Sequence, residues 1–295
     1  MRASAVARRK GWAYSFQGKR NSDDRPRAVT PLSDPQREAH LTSGLPMHTA
    51  VIYSVKGNVA EVELNRRECK NAINASMYRL LADTLKRAEL DSEVRVILLR
   101  GQEDVFCAGN DLNDFANDAT PNTNSALVLM DAIQGITKPI IAAVAGAAVG
   151  IGTTLLYHCD VVYAAENAKF AMPFVALGVC PEFGSSRLAP HSGGYRAAAE
   201  AILFAEPFDA EYALRAGLIS RIVPLQSLFQ YARERAEALA KMPFSAMQES
   251  KRLMKAHVFG DMTSLFREEL AVFDALLLKD DARRAIAGFL SLKRS

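Results

Sequence analysis

Apolar and polar positions follow a regular pattern from Ala50 onward, and the pattern first predicts a pair of strands. Two short runs, 51–55 and 59–64, are rich in β-branched residues and are typical of strands. Gly57 and Asn58 separate them, and such a pair suits the tight turn of a hairpin. We therefore predict a β-hairpin at the beginning of the regular region.

Strands and helices are then predicted to alternate. An amphipathic helix is expected over residues 74–90, because apolar residues recur on one side of it. Those residues are Met77, Leu80, Leu81 and Leu85. The further elements predicted here are strands at 94–99, 140–144, 160–164 and 169–171 and helices at 127–136 and 153–158. Strands that alternate with helices are typical of an α/β fold.

Strand signals fade from about Arg196, and helices are predicted to the end of the chain. Their predicted ranges are 196–204, 209–216, 226–241 and 245–257, with two more beyond Asp261. The pattern divides the chain into an extension over residues 1–46, a core over 47–243 and a helical C-terminal region over 244–295.

Charge separates the extension from the rest of the chain. The net charge is +3, but residues 1–46 carry nine Lys/Arg and four Asp/Glu, so the remainder sums to −2. A targeting peptide would also be basic, yet an amphipathic stripe is missing and Asp23 and Asp24 follow the basic stretch. We expect a disordered basic extension, with Met47 as the start of the folded part. The body shows no charge pattern of a nucleic-acid surface.

The cysteines and the hydropathy pattern narrow the class of protein. Four cysteines lack CxxC spacing and any ligand-like pairing with the five histidines, so we expect reduced thiols and no metal site. Apolar runs stay shorter than the ~18 residues of a membrane span. A cytoplasmic protein without a membrane partner is predicted.

Two loops of small residues are the first candidate chemistry. They cover 106–112 and 146–152, and each follows an apolar, strand-like run. Glycines there let a ligand approach the backbone, and two N–H groups directed at one oxygen form an oxyanion hole. Glu182 follows downstream, and one carboxylate beside such a hole can move a proton next to a carbonyl. A glutamate before Gly-Ser-Ser can equally be a solvated residue near a helix N-terminus.

These motifs together resemble the crotonase (enoyl-CoA hydratase/isomerase) superfamily, over about Thr49 to Arg294. Residues 62–74 are similar to its LNRPxxxNAxN stretch, with Arg67 in place of the proline, and both loops match in order and spacing. The resemblance implies a spiral of ββα units and a helical C-terminal region that packs trimers. It also implies an acyl-coenzyme A thioester as substrate, without a separate cofactor. We expect a homotrimer or a dimer of trimers.

Residue roles follow from the same resemblance. The two oxyanion N–H groups correspond to the backbone of Asn110 and Ile151. The implied substrate contacts are Arg66, Ala72, Ala108, Gly109, Asp111, Leu112 and Lys293. The expected apolar wall of the acyl pocket consists of Phe106, Met172, Phe174 and Phe183. Asp111 can instead be a turn residue, and Lys293 can belong to a frayed terminus.

Departures from the family pattern discriminate between activities. Thr154 and Phe174 stand where hydratases carry their two glutamates, whereas Glu182 matches the single glutamate of the Δ3,Δ2-enoyl-CoA isomerases. Because neither threonine nor phenylalanine takes a proton from water at neutral pH, we expect isomerisation. The alternatives are a weak hydratase that uses Glu182 alone and a non-catalytic acyl-coenzyme A-binding protein.

Overall fold

The computed structural model describes residues 49–112, 114 and 123–292, and within them ten strands form two sheets. The strands are β1 (Val51–Lys56), β2 (Val59–Leu64), β3 (Val96–Arg100), β4 (Val105–Cys107), β5 (Ile140–Val144), β6 (Ala147–Val149), β7 (Val161–Ala165), β8 (Lys169–Ala171), β9 (Phe208–Asp209) and β10 (Arg221–Val223). The predicted extension over residues 1–46 lies outside the described residues.

The larger sheet has the strand order β1-β2-β3-β5-β7-β10. β1 and β2 form the predicted hairpin, and the other neighbouring strands are parallel. Successive residues of β3 enter different hydrophobic clusters: Ile97 and Leu99 belong to one, and Leu98 belongs to the other. The central strands are therefore buried on both faces, which is why they read as continuous apolar runs.

Ten helices are described in the same part of the chain, apart from short 3₁₀ turns. They are α1 (Ala75–Leu90), α2 (Thr123–Gln134), α3 (Ile151–Thr154), α4 (Ser185–Gly193), α5 (Tyr195–Leu203), α6 (Ala210–Arg215), α7 (Leu228–Ala240), α8 (Phe244–Phe259), α9 (Met262–Leu277) and α10 (Asp280–Leu292). The α/β fold predicted from the sequence is confirmed, with the helices concentrated toward the C-terminus.

Helix α1 shows how the sequence defines an element and where its pattern misleads. Asn74 caps the helix, because its side-chain oxygen accepts a hydrogen bond from the Met77 N–H at 2.9 Å. Met77, Leu81 and Leu85 are buried as predicted. The prediction is wrong for Leu80, which is 37% exposed. Each residue advances an α-helix by ~100°, so Leu80 lies off the face that buries Leu81.

The smaller sheet has the order β4-β6-β8-β9 and was not predicted in full. β4, β6 and β8 are parallel, and β9 pairs antiparallel with β8. β4 and β6 have three residues each and lie inside segments that the sequence presents as loops. Their pairing matters for function, because each leads directly into one of the two small-residue loops.

Helices α9 and α10 pack their apolar residues beside these loops. Phe273 and Leu277 of α9 form one hydrophobic cluster with Ile286 of α10 and with Phe174 and Val179. The helical C-terminal region thus contributes to the core. No helix among the described residues is long and apolar enough to cross a membrane.

Candidate active site

Strands β4 and β6 hold the two loops against each other. Cys107 pairs with Ala148 across the strands. A Cβ atom on Gly109 would lie 2.9 Å from the Val149 carbonyl oxygen, and one on Gly152 would lie 2.6 Å from the Cys107 carbonyl oxygen. Only glycine fits at these two points, because any side chain would meet backbone atoms of the facing loop.

The predicted oxyanion donors occupy positions where backbone N–H groups are available. The Ile73 N–H donates to the Gly109 carbonyl at 2.8 Å and the Asp111 N–H donates to the Ile73 carbonyl at 2.9 Å, so the Asn110 N–H points to the opposite side. Ile151 begins α3, where N–H groups have no partner within the helix. Neither N–H has a hydrogen-bond acceptor in the part of the chain that the structure describes.

A cavity of ≈ 210 Å³ opens beside the loops. Its polar wall includes Asn110 and Lys70, and the backbone of Gly109 and Gly150 also borders it. The other lining residues are Ala108, Leu112, Val149, Pro173, Phe174, Leu177, Val179, Phe273, Leu277, Ile286 and Phe289. An apolar pocket with a few polar groups at one side is typical of a small-molecule site.

The acyl wall expected from the sequence requires correction. Of the four predicted residues, only Phe174 lines this cavity. Phe106 is buried in the main core, and Phe183 stacks on Phe266 with ring centroids 5.7 Å apart. Met172 borders a separate cavity of ≈ 10 Å³. The C-terminal helices supply wall residues instead, and no local motif in the sequence marks them.

The predicted substrate contacts divide into two groups. Ala108, Gly109 and Leu112 line the cavity together with Asn110. Arg66 contacts the other two residues of the second group: its guanidinium lies 2.8 Å from an Asp111 oxygen and donates to the Ala72 carbonyl at 2.9 Å. This ion pair braces the first loop, and direct contact of these residues with substrate stays a prediction. Lys293 lies outside the described residues.

Glu182 is buried, with only 3% of its surface exposed. The Thr154 hydroxyl donates to its Oε1 at 2.9 Å. Burial raises the pKa of Glu182 to about 8, the Thr154 hydrogen bond opposes the rise, and the nearby charge of Glu269 adds to it. A carboxyl group in this environment is a strong base once it is ionised.

Tyr78 connects Glu182 with the first loop, although Glu182 is not among the cavity-lining residues. The Tyr78 hydroxyl donates a short hydrogen bond to the Asn110 side-chain oxygen. Burial raises the pKa of Tyr78 well above its usual value, and the charge of Glu182 raises it further. The carboxyl group is thus close enough to the Tyr78–Asn110 pair to interact with it electrostatically.

Comparison with known proteins gives this arrangement a family. The model of the family described as "Enoyl-CoA hydratase/isomerase" matches residues 54–294. The chain belongs to this family. It is therefore an enzyme of the crotonase superfamily, and its two-sheet α/β architecture with C-terminal helices is the crotonase fold.

Relatives in the family carry both activities in their names. The chain is 32% identical over 248 residues to the 2,3-dehydroadipyl-CoA hydratase of Escherichia coli K12, covering 81% of this chain and 95% of that protein. It is 33% identical over 254 residues to human enoyl-CoA delta isomerase 2, covering 83% of this chain and 64% of that protein. The crystal structure of an enoyl-CoA hydratase/isomerase from Pseudoalteromonas atlantica T6c superposes with a TM-score of 0.77 at 35% identity, covering 82% of this chain and 97% of that chain. Sequence identity to these relatives does not discriminate between hydration and isomerisation. The distinction must therefore come from the side chains of the site.

The turn that carries Glu182 has an uncommon backbone conformation. Phe183 has φ +59°, although it is not glycine, and Gly184 follows with φ +74°. His158 Nε2 donates to the Phe183 carbonyl at 2.8 Å, because a carbonyl oxygen only accepts. Burial lowers the pKa of His158 to about 3, so the ring is neutral. His158 therefore supports this turn as a fixed hydrogen-bond donor.

Cysteine chemistry does not contribute to the site. Burial raises the pKa of Cys107 to about 12 and that of Cys180 to about 11, so both thiols stay protonated at neutral pH. No cluster of three or more His, Cys, Asp or Glu side chains suited to a metal ion is present among the residues described.

Proposed function

We propose that this enzyme is a Δ3,Δ2-enoyl-CoA isomerase in which Glu182 is the single catalytic base. One observation carries the proposal: Glu182 is a buried carboxyl group, and its hydrogen-bond partner Thr154 stands where a hydratase would carry a glutamate. Phe174, at the other hydratase position, lines the apolar cavity. Two carboxylates that share one water are therefore missing from the positions where hydration would need them.

The proposed reaction needs one base and one oxyanion hole. Ionised Glu182 removes a proton from C2 of a 3-enoyl-CoA, and the charge moves onto the thioester oxygen. N–H groups of Asn110 and Ile151 donate to that oxygen and stabilise the dienolate. The protonated Glu182 then returns the proton to C4, and the conjugated 2-trans thioester forms. Proton and charge balance without a cofactor.

The environment of Glu182 supports this role. A carboxyl group with a pKa of about 8 is matched to proton transfer near neutral pH, in contrast to an exposed glutamate. The apolar cavity beside the loops offers space for an acyl chain, with Asn110 at its polar side. Both features suit an acyl thioester of coenzyme A, the class of substrate that the names of the relatives indicate.

Incubation of the purified enzyme with 3-hexenoyl-CoA tests the proposal, with the absorbance of the conjugated thioester as the readout. Glu182→Gln should lower turnover by at least ~10³, because glutamine keeps the shape of the side chain without its basicity. Binding of hexanoyl-CoA should remain nearly unchanged. Glu268→Gln, at an exposed site on α9, is the matched control and should keep full activity. Retention of more than about a tenth of the activity in Glu182→Gln would overturn the assignment of the base.

A hydratase is the second candidate, because the E. coli relative is named as one at similar identity. The same preparation should be offered 2-butenoyl-CoA, and formation of 3-hydroxybutyryl-CoA should be measured. Hydration faster than isomerisation would favour the hydratase. Thioester binding without either reaction would favour a non-catalytic acyl-CoA-binding protein.

A further inference from the structure

Glu269 on α9 contacts the turn of Glu182 from a distant part of the chain. It is 6% exposed. Its Oε2 accepts from the Gly184 N–H at 2.6 Å, and its Oε1 accepts from the Ser186 N–H at 3.1 Å and from the Ser186 hydroxyl. Each of its two oxygens thus accepts at least one hydrogen bond, an arrangement that fits the ionised carboxylate.

The contacted backbone is the beginning of α4. Gly184 occupies the N-cap position, but it has no side chain that could accept from the first N–H groups of the helix. Glu269 performs this capping from another helix. The capped residues directly follow Phe183, whose left-handed backbone orients the preceding Glu182. A carboxylate 83 to 85 residues away in sequence from these donors therefore fixes the base-bearing turn.

We infer that Glu269 is a positioning residue that holds the Glu182 turn in its reactive conformation and places a second negative charge beside the base. The inference rests on the proposed function, since it assigns to Glu269 an influence on Glu182 as the base. Glu269 acts through the turn and through its charge, without contact with the substrate.

Charges around both carboxyl groups are consistent with this role. Tyr78 from α1, Cys107 from β4 and Cys180 from the preceding segment interact electrostatically with Glu182. Burial raises the pKa of Glu269, whereas the hydrogen bonds from Ser186 and Gly184 and the charge of Arg187 on α4 oppose that rise. Tyr78 and both thiols are neutral at pH 7, because their pKa values are raised. Glu269 is thus the anionic neighbour that raises the pKa of Glu182, after burial itself.

The decisive experiment compares pH profiles of kcat for 3-hexenoyl-CoA in Glu269→Gln and in wild type. Glu269→Gln removes the negative charge beside Glu182 and loosens its turn, and both changes favour ionised Glu182. The acidic side of the kcat–pH profile should therefore move to lower pH by about one unit. Turnover on the alkaline plateau should fall about tenfold to a hundredfold, because the base is less well positioned. KM should change little. Glu268→Gln removes the neighbouring charge of the same helix at an exposed site and should match wild type.

A second variant keeps the inference testable if Glu269→Gln does not fold. Ser186→Ala removes one donor to Glu269 at an exposed position and keeps the charge. Its acid limb should stay in place, while kcat falls about threefold or more with KM unchanged. If Glu269→Gln folds, a pH profile of kcat without the shift would overturn the inference. If it does not fold, an unchanged kcat in Ser186→Ala would overturn it. Failure of the proposed function is distinguishable, because it would appear in wild type as hydration faster than isomerisation or as no isomerisation of 3-hexenoyl-CoA, or as retained activity in Glu182→Gln, whereas failure of the present inference leaves those results unchanged.

Discussion

At the scale of single residues, burial of Glu182 favours its neutral form, whereas its proposed role as a base requires the anion. Burial raises its pKa from an ordinary value near 4.5 to about 8. A raised pKa means that folding favours the protonated form. The resulting stabilisation is complete below pH ~4.5 and is lost as the pH rises through about 8. The enzyme is therefore least stable where its proposed base is most active.

Replacing Glu182 with glutamine should consequently stabilise the protein at alkaline pH. Glutamine stays neutral and can still accept the Thr154 hydrogen bond. We expect melting temperatures of wild type and Glu182→Gln to coincide near pH ~4.5 and to separate by at least ~3 °C in favour of the variant at pH ~9. Differential scanning fluorimetry across this range is the measurement. Equal melting temperatures at pH ~9 would show that Glu182 is not buried as an acid.

Thr154 tunes the base in the opposite direction to burial. Its hydroxyl donates to Glu182 and lowers the pKa, so Thr154→Val, which keeps the shape, should raise it further. A hydrogen bond to a charged group contributes about 1.5–3 kcal/mol, so the acid limb of kcat should move up by about one pH unit. Thr263→Val at an exposed site of α9 is the control. An acid limb that stays in place would mean that Thr154 does not interact with the reactive form.

At the scale of elements, the contact between α3 and the first loop determines the geometry of the proposed oxyanion hole. A Cβ atom on Gly152 would lie 2.6 Å from the Cys107 carbonyl oxygen and 2.8 Å from the Cys107 Cβ, so Gly152→Ala must displace α3. Because Ile151 begins that helix, its N–H would move away from the thioester oxygen. We expect kcat to fall ~10²–10³-fold, the range for losing one oxyanion donor. Steady-state isomerase kinetics at saturating 3-hexenoyl-CoA measure this change.

Gly288→Ala provides the matched glycine control. Gly288 lies inside α10, and a Cβ atom there would meet nothing within 4 Å. Alanine should stabilise the helix by roughly 0.5–1 kcal/mol and leave kcat unchanged. A similar loss of activity in both variants would contradict the argument that the loop contact, and not glycine flexibility in general, sets the oxyanion hole.

Elements with a long hydrophobic period were predictable from the sequence, whereas among the described strands of three residues or fewer only β8 matches a prediction. β5 and α1 match their predicted ranges within one residue, because buried runs and helical spacing are local signals. β4 and β6 occur in loop-like segments of small residues and contain too few positions to show a period. Side chains that meet across the fold carry no local signal at all. This is why Glu269 and the wall residues of α9 and α10 were missed, and why Phe106 was wrongly assigned to the wall.

At the scale of the whole molecule, the site joins two regions that are distant in sequence. The loops after β4 and β6 carry the proposed backbone donors, and the C-terminal helices contribute Phe273, Leu277 and Ile286 to the cavity. The same helices also support the base through Glu269. If Glu182 is the base, as proposed, a change in the packing of α9 and α10 should therefore affect both substrate binding and the position of the base.

Association of several chains is the remaining prediction at this scale. Large apolar side chains stay exposed in the C-terminal region: Met254 at 65% on α8, Leu278 at 53% directly after α9 and Phe289 at 46% on α10. A contiguous apolar patch on the surface of a protein marks an interaction site, and the family resemblance implies that the C-terminal helices pack in trimers. We expect sedimentation equilibrium at micromolar concentration to give three or six times the chain mass of 32.2 kDa.

Met254→Lys should weaken association if α8 contributes to the interface. A stable monomer of 32.2 kDa would contradict the trimer, and unchanged isomerase activity in that monomer would show that the site is complete within one chain.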